Sequence, residues 1–324
     1  MIAAAANQPS CRPSTNGWRS DVVRLRYSLS YLKLFEIRFT ALRDTQPFDP
    51  NRPPTTQFEA PVERVPDQYD VVVARQRVLS ARIPVIQRLP GFLRYAPRQM
   101  FHYYTDLQGG AEHAFRAMSA KTRSTLVRKV RNYEKFCGGE ISWRTYATPP
   151  EMAEFHRQAR EIARMTYQER LFESGLPDTE GFRRDMMELA NRDLVRGFLL
   201  FHGQKAIAYL YTPAPDGFLV YDYLGYDPAY AQHSPGTVLQ YLALRALYAE
   251  GRFPLYYWGD GYSQTKQIFS TGQVLAADIY YFRPTLSNYL AVWLHYGTDR
   301  FSENVGAMLN RVKLKDLVKR WLKK

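Results

Sequence analysis

The chain has 324 residues, 45% hydrophobic and 23% charged, which is long enough to bury one large core or two smaller ones and excludes a disordered segment. Its formal net charge of +13 asks for an anionic partner, whether nucleotide phosphates, anionic lipid, polysaccharide or nucleic acid. Only Cys11 and Cys137 are present, which excludes a disulfide framework and a Cys-rich zinc site and fits a reducing compartment.

The opening MIAAAANQPSCRPSTNGWRSD has no basic segment followed by an apolar one, and no stretch approaches the ~20 apolar residues of a membrane span, so a cytoplasmic protein is expected. Residues 1–20 read as a flexible tail. The runs LFEIRFTAL and YDVVVARQ read as strands, separated by a proline-rich loop at 44–68. From 81 to 107 the prolines divide the chain into short extended pieces of a partial sheet. Residues 119–136 then read as a helix with six basic residues (Lys121, Arg123, Arg128, Lys129, Arg131 and Lys135) against the single acid Glu134. That pattern suits a solvated face or an anion-binding surface equally.

PPEMAEFHRQAREIARM starts on proline and sets Met152, Phe155, Ala159, Ile162 and Ala163 on one helical face; TEGFRRDMMELANR does the same with Phe182, Met186, Leu189 and Ala190. VRGFLLF, KAIAYLYT and FLVYDYLGY, joined by HGQ and PAPDG, predict a three-stranded antiparallel meander. A helix, TVLQYLALRALYAEG, follows and is apolar nearly all round, hence buried. Strands LYYWG and AADIYYF flank a short polar segment.

Two helices, a meander, a Ser-Pro-Gly turn, a buried helix and a further strand form an order that resembles the GNAT acyltransferase superfamily. More narrowly, AKTRSTLVRKVRNYEK, ARMTYQERLFESGLP, HSPGTVLQYLALRA and WGDGYSQTKQIFSTG resemble the GNAT-like branch found with bacterial exopolysaccharide and cellulose biosynthesis, related to the Fem-type transferases. The resemblance covers about residues 70–285 and implies an α+β fold with a mixed sheet. The domains expected from it are an N-terminal partial GNAT-like lobe at 21–140, an acyltransferase domain at 141–290 and a basic helical segment at 291–324. It further implies an acyl-CoA or acetyl-CoA donor, an amine acceptor such as an amino sugar or cell-envelope precursor, and no metal.

In such a fold two neighbouring strands diverge and open a slot whose free backbone groups bind an extended amide chain such as pantetheine. Ser234, Gly236 and Thr237 in HSPGT are the candidates for the carrier's anionic end, with Ser234 suited to a helix N-cap and Gly236 to close backbone approach. The superfamily's loop is richer in glycine, and Val238 stands where a second small residue would fall. That departure leaves acyl carrier protein and aminoacyl-tRNA open as donors. If FLVYDYL and LYYWG are the diverging strands, Asp222 and Asp260 approach the same slot, where a carboxylate accepts the amine proton. Lys266 supplies positive charge to the carbonyl or to a phosphate. Tyr262, Tyr226 and Tyr167 are candidate proton donors to the leaving thiolate, and His233 reads as structural. By the resemblance, Tyr167, Gln168 and Arg170 face the acceptor.

No His-Glu-x-x-His, serine elbow or phosphate-loop motif occurs, which disfavours metal hydrolysis and ATP chemistry. Nucleic-acid binding lacks a recognition motif, and a non-catalytic binding protein on the same fold is the main rival. In NRVKLKDLVKRWLKK, Leu314, Leu317, Val318, Trp321 and Leu322 share one helical face opposite basic residues, which suits docking on the body or contact with an anionic membrane surface.

Overall fold

The computed structural model describes residues 17–29, 32–55, 63–166 and 175–311. The chain forms two compact units, one of Phe101–Val274 and one of the segments before 101 and after 274. The boundary expected at 140/141 therefore differs from the division in the structure. The basic helix belongs with the first of these units because its Leu126 and Tyr133 pack into that unit's core.

The second unit begins with β1 (Trp18–Leu29) and β2 (Leu32–Asp44), an antiparallel pair; β2 runs parallel to β3 (Val71–Val78). Trp18, Arg19 and Ser20 already belong to β1, so the expected tail of 1–20 extends too far: Trp18 pairs with Asp44. β4 (Ile86–Leu89) and β5 (Phe92–Tyr95), short extended pieces as the prolines around them predict, pair as a hairpin. Of the proline-rich loop, Thr55 bridges to Leu79 and the Thr55 N–H donates to the Val78 carbonyl at 2.8 Å.

The first unit holds β6 (Gln99–Asp106), α1 (Ala111–Ala117), α2 (Ala120–Phe136), β7 (Trp143–Tyr146), α3 (Pro149–Met165), α4 (Glu180–Asn191), β8 (Val195–His202), β9 (Lys205–Pro213), β10 (Leu219–Val220), β11 (Tyr223–Tyr226), α5 (Pro235–Glu250), β12 (Leu255–Asp260) and α6 (Gln264–Phe269). β13 (Gly272–Phe282) carries the chain back to the second unit, where it pairs with β3 and β5 and leads to α7 (Leu286–Arg311).

Capping chemistry starts α3 where the sequence places it. The Glu151 carboxylate accepts from the N–H groups of Ala147 and Thr148 at 3.1 and 2.9 Å, and prolines occupy the first turn. Each of the five apolar residues assigned to its inner face is buried.

β7, β8, β9 and β11 form one antiparallel sheet, with β8 and β9 covered on both faces. Strand alternation divides their side chains between two cores. Phe198, Leu200, Ile207 and Leu210 face α2 and α5, whereas Val195, Leu199, Tyr209 and Tyr211 face α3 and α4.

The third meander strand differs from its expectation as one continuous element. Leu219 and Val220 leave the meander to run parallel to β12, and only Tyr223–Tyr226 pair with β9. That break positions the site.

Candidate functional site

The slot starts where β10 ends. Leu219 and Val220 face Tyr256 and Tyr257 of β12, and the Tyr221 N–H still donates to the Tyr257 carbonyl at 2.8 Å. From Tyr223 onward the chain pairs instead with β9, while the end of β12 stays with β6, where Gly259 and Asp260 face Tyr103 and His102. The two strands thus diverge at Asp222. The β12 edge beyond Tyr257 faces the divergence, the kind of edge an extended amide chain can join by main-chain hydrogen bonds.

β12 is anchored from behind. Trp258 Nε1 donates to Thr105 Oγ1 at 2.8 Å, and Thr105 Oγ1 donates to the Phe269 carbonyl at 2.7 Å. The Trp258 ring lies near-parallel to Phe269 at 5.8 Å. A bulge between Tyr257 and Gly259 turns the strand end, with Gly259 at φ +85°, a left-handed conformation that glycine adopts without Cβ strain.

Asp222 stands at the mouth of the divergence. Its residue surface is exposed to solvent, yet the protein packed around the carboxyl group desolvates it enough to push its pKa up from 3.8 to about 6. Its charge acts on a ring of tyrosines. Burial and then Asp222 raise Tyr223 to about 12, and the same two causes raise Tyr211 further. Tyr256 is pushed well above its ordinary value by burial, with Tyr221 and Asp222 adding to the effect. The Tyr256 hydroxyl is buried without a hydrogen-bond partner, and Tyr221 OH accepts from Gln240 Nε2 at 3.4 Å. Sequence reasoning missed Tyr256, Tyr221 and Gln240. Their only signal was their place within aromatic runs, which 24 tyrosines dilute.

Asp260 and Lys266 come together through the backbone. Ser263 caps α6 by accepting from the Lys266 N–H at 3.1 Å, and Lys266 Nζ donates to the Asp260 carbonyl. Burial holds the Lys266 ammonium below the ordinary lysine pKa, opposed by the Asp260 carboxylate. A methyl group built on Gly259 would lie 3.6 Å from that ammonium, so Lys266 covers the bulge. Asp260 itself is exposed. Tyr262 is 74% exposed and Tyr226 39%, so Tyr262 is a surface ring.

The Ser-Pro-Gly turn differs from its expected chemistry. Ser234 adopts a left-handed conformation, φ 53°, and its side chain makes no capping bond. The N–H groups of Thr237 and Val238 turn back to the Ser234 carbonyl at 3.0 and 3.1 Å. A Cβ on Gly236 would meet Leu224 at 3.2 Å and Tyr226 at 3.4 Å, so this glycine permits close packing of α5 on β11 rather than approach of a ligand. His233 stacks on Phe136, centroids 3.8 Å apart.

α2 supplies the charge that the turn lacks. Lys129 Nζ donates to Thr237 Oγ1 at 3.4 Å. Along the outer face of α2, Arg123, Ser124, Arg128, Arg131, Asn132 and Lys135 line an open groove. None of the helix's six cations forms an ion pair with a described residue. Tyr167, Gln168 and Arg170, assigned to the acceptor, lie outside the described residues, as does 312–324. Among the described residues no cluster of three or more His, Cys, Asp or Glu could hold a metal ion.

Residues 120–267 match the family model of the acetyltransferase (GNAT) domain. The mixed α/β fold expected from the sequence is the fold observed. The solved structures most like the chain include the C-terminal domain of a protein described as a lysylphosphatidylglycerol synthetase from Agrobacterium fabrum (10% identity, 63% of this chain and 65% of that one, TM-score 0.44). L-PGS from Bacillus licheniformis (14% identity, 63% and 66%, TM-score 0.41) and FemX (11% identity, 59% and 63%, TM-score 0.41) are also similar. The chain thus spans about 65% of the first of these. At such scores the likenesses decide neither donor nor acceptor. No curated protein matches the sequence.

Proposed function

We propose that Phe101–Val274 is an N-acyltransferase that moves an acyl group from acyl-CoA, acetyl-CoA included, to an amine acceptor such as an amino sugar of a polysaccharide or cell-envelope precursor. The observation that carries this reading is the divergence of β11 from β12 at Asp222. It leaves a strand edge suited to the donor's amide-bearing arm and sets a carboxylate of raised pKa at its mouth. In the reaction the amine nitrogen attacks the thioester carbonyl and a C–N bond forms. The amine proton passes to the Asp222 carboxylate, the C–S bond breaks and the thiolate leaves to be protonated. Asp222 acts as base only when ionised, so turnover rises with pH through about 6. The roles assigned to Lys266 and Asp260 are positive charge for the donor's carbonyl or phosphate, and support of that ammonium.

A second reading has its own observation. The amides at the start of α5 are turned back on the chain and Gly236 is packed against β11, whereas α2 offers cations along its whole length that form no ion pair with a described residue. That distribution favours a donor with anionic charge spread over a larger surface, an aminoacyl-tRNA or an acyl carrier protein. Purified protein is assayed for thiol release from acetyl-CoA and longer acyl-CoAs, and for aminoacyl transfer from charged tRNA, each with a panel of amines. Arg128→Glu/Arg131→Glu, exposed on α2, is expected to keep its stability within about 0.5 kcal/mol. With a tRNA donor this variant weakens binding across sequences and lowers the salt slope by about one unit for each phosphate it no longer neutralises; unchanged binding removes α2 from the donor site. Binding of a donor without transfer to any amine assigns a non-catalytic role.

A further inference from the structure

α7 carries an apolar face that no described residue of its own unit covers. Its inner side is well occupied: Asn288, Ala291, Val292 and His295 are buried, Tyr27 OH donates to the Ala291 carbonyl at 2.9 Å, and Tyr95 OH pairs with His295 Nδ1 at 2.6 Å. The outer side presents Leu286 (78% exposed), Leu290 (65%), Trp293 (55%), Leu294 (50%) and Phe301 (57%). These positions recur at helical spacing, so they form one stripe, roughly 22 Å long at 1.5 Å per residue. Isolated exposed leucines need no explanation. Five large apolar side chains in line on one helix face do.

We infer that this face of α7 lies in the headgroup region of an anionic membrane surface. The stripe sits on a helix exposed to solvent along its outer side, has a tryptophan at its middle and runs straight into a cationic segment. From 300 to 324 the sequence holds eight basic residues (Arg300, Arg311, Lys313, Lys315, Lys319, Arg320, Lys323 and Lys324) against Glu303 and Asp316, eight minus two giving +6. An apolar face followed by such charge is the composition of an interfacial helix, held by apolar burial together with attraction to anionic lipid. Lying in the interface is also the mode that suits the chain, because no described helix is long and apolar enough to cross a bilayer. The rival occupant, a second copy of the chain, would bring an identical net charge of +13, the +6 of residues 300–324 included, against its own kind. Charge therefore favours lipid. Membrane contact, one of the two alternatives that the 310–324 stretch suits, is thereby extended to residues 286–301, and this inference is independent of the catalytic reading.

The test uses the full chain with vesicles of phosphatidylcholine alone and of phosphatidylcholine with phosphatidylglycerol. The wild type is expected to sediment with the anionic vesicles and not with the neutral ones. Leu290→Glu/Trp293→Glu changes only outward positions, and its expected effect is at least tenfold weaker binding at an unchanged melting temperature. A second variant, Trp293→Leu, keeps the apolar face. It is expected to bind anionic vesicles like the wild type while losing part of the tryptophan quenching by brominated lipid. Failure of the wild type to bind anionic vesicles overturns the inference, as does undiminished binding by a folded double variant. Light scattering that shows a wild-type dimer, made monomeric by the double substitution, with no vesicle binding, gives the face to a second copy instead.

Discussion

Replacing Asp222 with Asn separates catalysis from stability, with opposite signs. The folded-state pKa of about 6 lies above the unfolded value of 3.8, so between these values the native protein binds the proton that the unfolded chain releases. Stability from this group is therefore fully present below about pH 4 and is lost as pH rises through about 6, the reverse of a salt-bridged aspartate. Two pKa units correspond to at most about 3 kcal/mol. Asp222 is exposed, and solvent screening reduces that ceiling to on the order of 1 kcal/mol. At pH 8, Asp222→Asn is expected to raise the melting temperature by about 2–4 °C for a protein of this size, and by nothing measurable at pH 4. Turnover is expected to fall by about 10²- to 10⁴-fold, the usual contribution of a positioned base, and the residual activity to lose its rise through pH 6. Differential scanning calorimetry at the two pH values, with a pH series of single-turnover transfer on whichever donor the wild type uses, reads both effects. An Asp222→Asn protein that keeps the wild-type pH profile and rate refutes the role as base. One that is less stable at pH 8 refutes the account of a desolvated, costly charge.

Lys266→Met removes an ammonium whose Nζ donates to the Asp260 carbonyl, so transfer is expected to drop and stability to fall by about 1 kcal/mol, measured by urea denaturation beside turnover. Unchanged turnover removes Lys266 from the site. Tyr256→Phe deletes a buried hydroxyl that has no partner, and its expected effect is neutral to about 1 kcal/mol stabilising, again by denaturant melts. If turnover falls while stability holds, that hydroxyl meets the substrate; if stability falls by more than about 1 kcal/mol, it has a partner in the native protein that its burial conceals.

Helices and buried strands were the most legible parts of the sequence because their determinants are local. The face of α3 follows from apolar spacing and its start from Thr148, Pro149 and Glu151, all within one turn. β8 and β9 follow from unbroken apolar runs bounded by turn residues. The contents of the first and last segments were less legible: Trp18 joins a strand because it finds Asp44 as its partner, a pairing no local pattern announces.

The candidate site was readable as a neighbourhood and not as a set of roles. FLVYDYLGY contains no proline and no glycine near its middle, so nothing within it marks a break at Tyr221–Asp222. The break is a compromise between distant partners. On one side the Tyr221 N–H holds to Tyr257. On the other, the end of β11 is held to β9 by the Asp227 N–H donating to the Ile207 carbonyl at 2.8 Å and by Lys205 Nζ on the Asp227 carboxylate at 2.7 Å. Asp222 lies where those two allegiances part. The same reason makes Tyr262 misleading: it sits two residues past Asp260, yet the turn at Gly261, φ +76°, carries it to the surface, while Tyr256, four residues before Asp260 in the strand, ends with its hydroxyl enclosed near Asp222. Proximity in sequence to a carboxylate said little about which tyrosine shares its field. Pairing across the sheet decides that, and it makes Asp222 and Tyr256, rather than Asp260 and Tyr262, the pair that the fold brings into one electrostatic field.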